Sequence, residues 1–157
     1  MNSKSADYWI KKLNLLPHPE GGFYAETFRA NLNVNGGWGN RSALTSIFYL
    51  LEKADFSAFH KIKSPELWYF HAGNELHVHE ISSTGEYYKH VLNLDNPFVA
   101  IAPESWFASE VANQTGYILV SCAVAPGFDF ADFEIAKRES LIAQFPNHQQ
   151  IISRLTR

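Results

Sequence analysis

Apolar residues recur along this chain first at helical and then at alternating spacing. Trp9, Ile10, Leu13 and Leu16 follow a helical repeat. Asp7 is placed to cap that helix, and Pro17 with Pro19 to end it. From Gly22 to Arg29 the pattern alternates, with Tyr24, Glu26 and Phe28 on one face and Phe23, Ala25, Thr27 and Arg29 on the other. The stretch 33–40 is rich in Asn and Gly and reads as a loop. Short strand-like runs follow at 43–51, 56–62, 66–72, 75–82, 86–93, 98–102, 106–112 and 117–124, most of them separated by turn residues such as Gly73-Asn74 and Thr84-Gly85. Helical spacing returns from Asp132 to Phe145, and a shorter helix fits 147–155 beyond Pro146. This order predicts an all-β sandwich or barrel in one domain over 1–157, with an N-terminal helix and C-terminal helices, rather than βαβ units.

Composition narrows the function classes. Aromatic residues make up 15% of the 157 positions, which suits pleated strands and the walls of a concave ligand site. A net charge of −3 with no run of Lys and Arg argues against general nucleic-acid binding. Cys122 is the one cysteine, so no internal disulfide forms, and a reducing, cytoplasmic setting is expected. No apolar signal core opens the chain and no stretch approaches the roughly 20 apolar residues of a membrane span, so a soluble protein with no membrane partner is expected.

The segment Ser57-Ala58-Phe59-His60-Lys61-Ile62 leads to Glu66 and then Gly73. It resembles the first cupin motif, His-x-His, a few residues, Glu, six residues and Gly. Ile62 stands at the second histidine. A later stretch, Pro103-Glu104-Ser105-Trp106-Phe107-Ala108, resembles the second motif, with Ala108 in place of its histidine. Three further segments resemble a cupin subfamily of uncharacterised proteins known as DUF985 or cupin 5. They are Pro17-His18-Pro19-Glu20-Gly21-Gly22-Phe23-Tyr24 with Glu26 and Arg29, the Phe59–Trp68 core, and Val124 to Glu134. The closing Arg154-Leu155-Thr156-Arg157 resembles the subfamily too. The resemblance implies a cupin double-stranded β-helix, a jelly-roll barrel, forming a homodimer and related in shape to sugar-nucleotide epimerases. A metal-binding cupin supplies three His and one Glu. This chain keeps two of the four, so no cofactor is expected, and a divalent metal would need Glu26, His71, His77 or His79 to complete its shell.

His60 and Glu66 are therefore the candidate catalytic pair. A histidine titrating near neutrality suits proton abstraction, and a carboxyl beside the indole of Trp68 would orient it or share its proton. Both also suit a purely structural role inside a barrel. Tyr24, Glu26, Arg29, Trp68 and Trp106 are candidate ligand-binding residues. Partner-strand contacts, a carboxylate pairing of Arg29 and core packing of Trp106 explain some of them equally well. His77 and His79 alternate on one strand face away from the motif and read as a polar outer face, and His71 falls outside the barrel. Asp129 or Asp132 suits helix capping, and Cys122 an inert core. The leading function is a small-molecule enzyme of the sugar or sugar-nucleotide isomerase or epimerase type, with Tyr24 or Tyr69 as a possible second acid. The alternatives are a metabolite-binding module and a metal-dependent cupin enzyme.

Overall fold

The computed structural model describes residues 4–157. Helix α1 (Ala6–Leu13) is capped by Ser5, whose side chain accepts from the Tyr8 amide, while Asp7 lies within the first turn. Asn14 ends the helix in the left-handed conformation, three residues before Pro17. Strands β1 (Leu16–Pro17) and β2 (Phe23–Arg29) follow. The expected loop at 33–40 is instead a hairpin of β3 (Asn33–Asn35) and β4 (Asn40–Ser42). The Asn35 side chain accepts from the Gly37 amide and closes its turn, a local bond that alternation of apolar residues does not reveal.

Eight further strands form the body of the molecule: β5 (Thr45–Glu52), β6 (Phe56–Lys61), β7 (Glu66–Gly73), β8 (Leu76–Ile81), β9 (Tyr87–Leu92), β10 (Phe98–Ile101), β11 (Trp106–Val111) and β12 (Tyr117–Val124). The short strand β13 (Glu134–Ile135) and helices α2 (Arg138–Gln144) and α3 (Gln149–Arg154) complete the chain. The helix expected from Asp132 therefore starts six residues late. Asp129 caps a single 3-10 turn, and Asp132 is drawn away to the Arg41 guanidinium at 2.7 and 2.8 Å.

All strand pairs are antiparallel. One sheet runs β1-β2-β5-β12-β7-β10 and the facing sheet β13-β6-β11-β8-β9. Alternation decides what each face meets. Tyr49, Leu51, Trp68, Val78, Phe107, Val120 and Cys122 point between the sheets and form the barrel core. Leu50 and Leu119 point outward and pack on α1, whose apolar stripe carries Trp9, Ile10 and Leu13. On the opposite side Phe59, Ile81, Trp106 and Ala108 meet Leu141, Ile152 and Leu155 of the C-terminal segment. The terminal helices are thus outer layers on either side of the barrel. No described helix is long and apolar enough to cross a membrane.

Candidate functional site

A cavity of about 520 Å³ opens between β2, β5, β6, β7 and β12 under the aromatic segment Phe128–Phe133. Its polar wall begins in the turn between β1 and β2. The His18 amide donates to the Gly22 carbonyl at 2.9 Å and the Gly21 amide to the His18 carbonyl at 3.0 Å. Asp55 accepts from the Gly22 amide, and the Glu20 carbonyl accepts from the Ala58 amide on β6. Gly21 adopts φ +116°, and a Cβ there would strike the Phe56 carbonyl. The turn is thereby pressed onto β6, and it carries Glu20 into the barrel.

Glu20 and His60 meet there. His60 Nε2 stands 3.1 Å from Glu20 Oε2, and His60 Nδ1 lies 2.7 Å from the Ala58 carbonyl. A carbonyl only accepts, so Nδ1 carries a proton, and a neutral His60 presents its Nε2 lone pair to Glu20. The contact needs one proton, held either as Glu20 O–H···Nε2 or as an ion pair. Burial favours the neutral form, since His60 and Glu20 are only 3% and 6% exposed. Desolvation lowers His60 to about 4 and raises the Glu20 carboxyl. Glu66, across the cavity, is pushed up to about 8 by desolvation and secondarily by the nearby Glu20 carboxyl. That shift favours its protonated form. The Cys122 thiol lies beside Glu66 in the cavity wall, and burial with that neighbouring acid raises the thiol well above its ordinary value. Desolvation also lowers His18, whose ring packs edge-on against Tyr24 and Tyr49.

His60, Glu66, Tyr24, Glu26 and Arg29 all line the cavity. Glu66 makes no hydrogen bond to His60 among the described residues, so Glu20 takes the orienting place expected of Glu66. Glu20 was legible only as part of the Pro17–Tyr24 motif, and nothing local says that its turn folds inward. Arg29 shares the face of Glu26 instead of opposing it. The β2–β5 register skips a residue between Glu26 and Phe28, and this bulge brings Arg29 round to grip Glu26 in two bonds of 2.7 and 3.0 Å. Trp68 lies deeper, in the barrel core against Tyr49 and Phe107. Trp106 faces the C-terminal helices, with Lys61 Nζ over its ring, and does not reach the cavity. Tyr69 is exposed against Phe98, which removes it as a second acid and leaves Tyr24. His71 is exposed beside Ser121. Cys122, expected as inert core, is buried but forms part of the cavity wall.

The cavity does not fit the four-ligand shell that the cupin motif implies. Ile62 occupies the wall at the second histidine position. Ala108 points outward, and the inward residue beside it is Phe107, whose ring centre lies 4.1 Å from that of His60. Among the described residues, His18, Glu20, His60 and Glu66 do not bring three donor atoms within 4.8 Å of one another.

Two antiparallel sheets closed around a core, with a polar-walled cavity at one end, define a barrel of the cupin class. The chain belongs to the cupin superfamily family described as DUF985, whose model, cupin 5, matches residues 7–136. A protein from Shewanella oneidensis is 38% identical, with a TM-score of 0.91 over 98% of both chains. A hypothetical protein from Leishmania major is 33% identical, with a TM-score of 0.93 over 98% of this chain and 99% of that one. A cupin 2 domain-containing protein from Halorhodospira halophila shares the fold at 11% identity, with a TM-score of 0.60 over 90% of this chain and 87% of its own. No curated protein matches the chain.

Proposed function

We propose that the cavity binds a small carbonyl compound of the sugar or sugar-nucleotide class and isomerises or epimerises it by proton transfer. The 3.1 Å contact between His60 and Glu20, one shared proton buried in a cavity wall, carries this reading. Glu20 accepts the proton of the carbon next to the carbonyl on its free oxygen and passes its own to His60 Nε2. The C–H bond electrons form the enol double bond, and Glu66 O–H protonates the carbonyl oxygen. Delivery of the proton to the former carbonyl carbon, as Glu66 recovers its own proton from the hydroxyl of the first carbon, gives the isomer. Protonation of the first carbon from the opposite face by the Tyr24 hydroxyl, as the enol proton returns to Glu66, gives the epimer, and solvent then moves the proton from His60 back to the phenolate. Tyr24 and the Phe128–Phe133 aromatics pack against the ligand, and the Glu26–Arg29 pair meets its polar end at the mouth. The transfer uses only side chains of this chain.

The reading also includes one cytoplasmic domain that pairs as a homodimer. Phe28 is 52% exposed on β2, beyond the short edge strand β1 that pairs only with Phe23 and Tyr24, and Leu16 of β1 is 66% exposed. A second copy would cover both. The apolar lining, with Phe128, Phe130 and Phe133 on one side, favours metabolite binding without turnover as a second reading. Incubation of a panel of aldoses, ketoses and nucleotide sugars in D₂O separates the two by NMR. Deuterium should enter the carbon next to the carbonyl with the wild type and not with Glu20→Gln or His60→Ala. Undiminished exchange in His60→Ala would sink the mechanism, and tight binding with no exchange for any bound compound would select the second reading.

A further inference from the structure

The face of β8 that points away from the barrel core carries His77 and His79, and Glu110 of β11 stands directly across from His77. One donor atom of each of the three lies within 4.8 Å of the others. His79 Nε2 is 3.0 Å from Glu110 Oε1. Two donors bound at the usual 2.0–2.1 Å to a tetrahedral ion stand about 3.3 Å apart, so this pair is already spaced for one.

Each histidine also has a further polar partner, and that of His79 sits on the nitrogen not facing Glu110. The Glu75 carboxylate accepts from His77 Nε2 at 2.9 Å. The Tyr87 hydroxyl lies 2.7 Å from His79 Nδ1. Without a metal, His79 Nε2–H donates to Glu110 and Nδ1 accepts from Tyr87. With a metal on Nε2 the proton sits on Nδ1 and donates to the same hydroxyl oxygen, so the change of tautomer strands no polar group. Outer partners of this kind hold metal-ligating histidines in place. A cleft of about 380 Å³ on this side is lined in part by Tyr87 and Arg154, the residues that contact His79 and Glu110. The opposing charges are Arg154, bound to the other oxygen of Glu110, and Lys89, paired across from His79 on β9. The Arg154 side chain is half exposed.

We propose that His77, His79 and Glu110 form a binding site for a divalent transition metal of the zinc class, outside the barrel cavity and independent of its chemistry. An ion there would tie β8 to β11 under helix α3. Metal-stripped full-length protein titrated with Co²⁺ should develop the visible absorption of a four-coordinate ion, saturating at one equivalent and abolished by Zn²⁺. His79→Ala and Glu110→Gln should each weaken binding by at least about tenfold. His77→Ala alters a partly exposed residue, so its loss of affinity, with an unchanged circular dichroism spectrum, reports ligation even if the buried variants unfold. His60→Ala should bind Co²⁺ as the wild type does. Absence of saturable binding, full affinity in folded His77→Ala, or loss of binding in folded His60→Ala overturns the site.

Discussion

Replacing Glu66 by Gln should remove a loss of stability that the wild type suffers as pH rises from acid to base. Glu66 is 8% exposed in a cavity wall of mainly apolar character. Desolvation, with the nearby Glu20 carboxyl second, holds its folded pKa at about 8, against 4.5 for the free side chain. Between those values the folded protein keeps a proton that the unfolded chain has released. Stability is therefore intact below about pH 4.5 and falls as pH rises, until the loss is complete above about pH 8. At about 1.4 kcal/mol per pH unit, that window amounts to about 5 kcal/mol. Glutamine has the same shape and carries no charge at any pH. Some of the gain is offset where the amide nitrogen lacks a partner, a cost of about 1–3 kcal/mol. Urea unfolding followed by tryptophan fluorescence should show variant and wild type separating by about 1.4 kcal/mol per pH unit through this window, whatever the constant offset. Other titrating groups largely cancel between the two proteins. A stability difference that does not vary with pH would mean that Glu66 is charged in the folded state, and Glu66 could then not act as the acid at pH 7.

Histidine 60 gives the opposite sign. Its folded pKa of about 4 lies below the ordinary 6.5, so stability is lost as pH falls between those values, by about 3 kcal/mol. His60→Gln should flatten that acid limb in the same unfolding series, and an unchanged limb would show that His60 is not the group responsible. Gly21→Ala places a Cβ against the Phe56 carbonyl at φ +116°. It should cost about 2–4 kcal/mol and displace Glu20, seen as a lowered melting temperature together with loss of the deuterium exchange. Ile152→Ala empties a fully buried position between α3 and the barrel. It should cost about 2–5 kcal/mol in urea unfolding while ligand binding in the cavity stays as in the wild type.

Period-two alternation from Thr45 to Val124 made the strands legible, because one face of each must meet the barrel core and the other an outer layer. Trp106 shows where that legibility stops. Alternation says that it opposes Phe107, but not which of the two faces the cavity, since helices α2 and α3 bury the outer face as thoroughly as the core buries the inner. A strand apolar on both faces does not declare its inside. Arg29 failed for a different reason. A one-residue bulge reverses every face beyond it and leaves no mark on the hydrophobic pattern. The hairpin at 33–42 pairs mostly polar residues around a turn closed by the Asn35 side chain, and is equally silent.

His60, Glu66 and the missing ligand at Ile62 were determined by the sequence itself, since motif spacing along β6 and β7, consecutive in the chain and one in each sheet, sets which of these side chains point into the barrel. Only the tertiary structure supplied Glu20. Its turn is far from β6 in sequence, and contacts from Ala58, Asp55 and Tyr49 press it into the barrel. The pairing of Glu20 with His60 in a space too apolar for two charges is a property of that closure, and it decides where the proton sits.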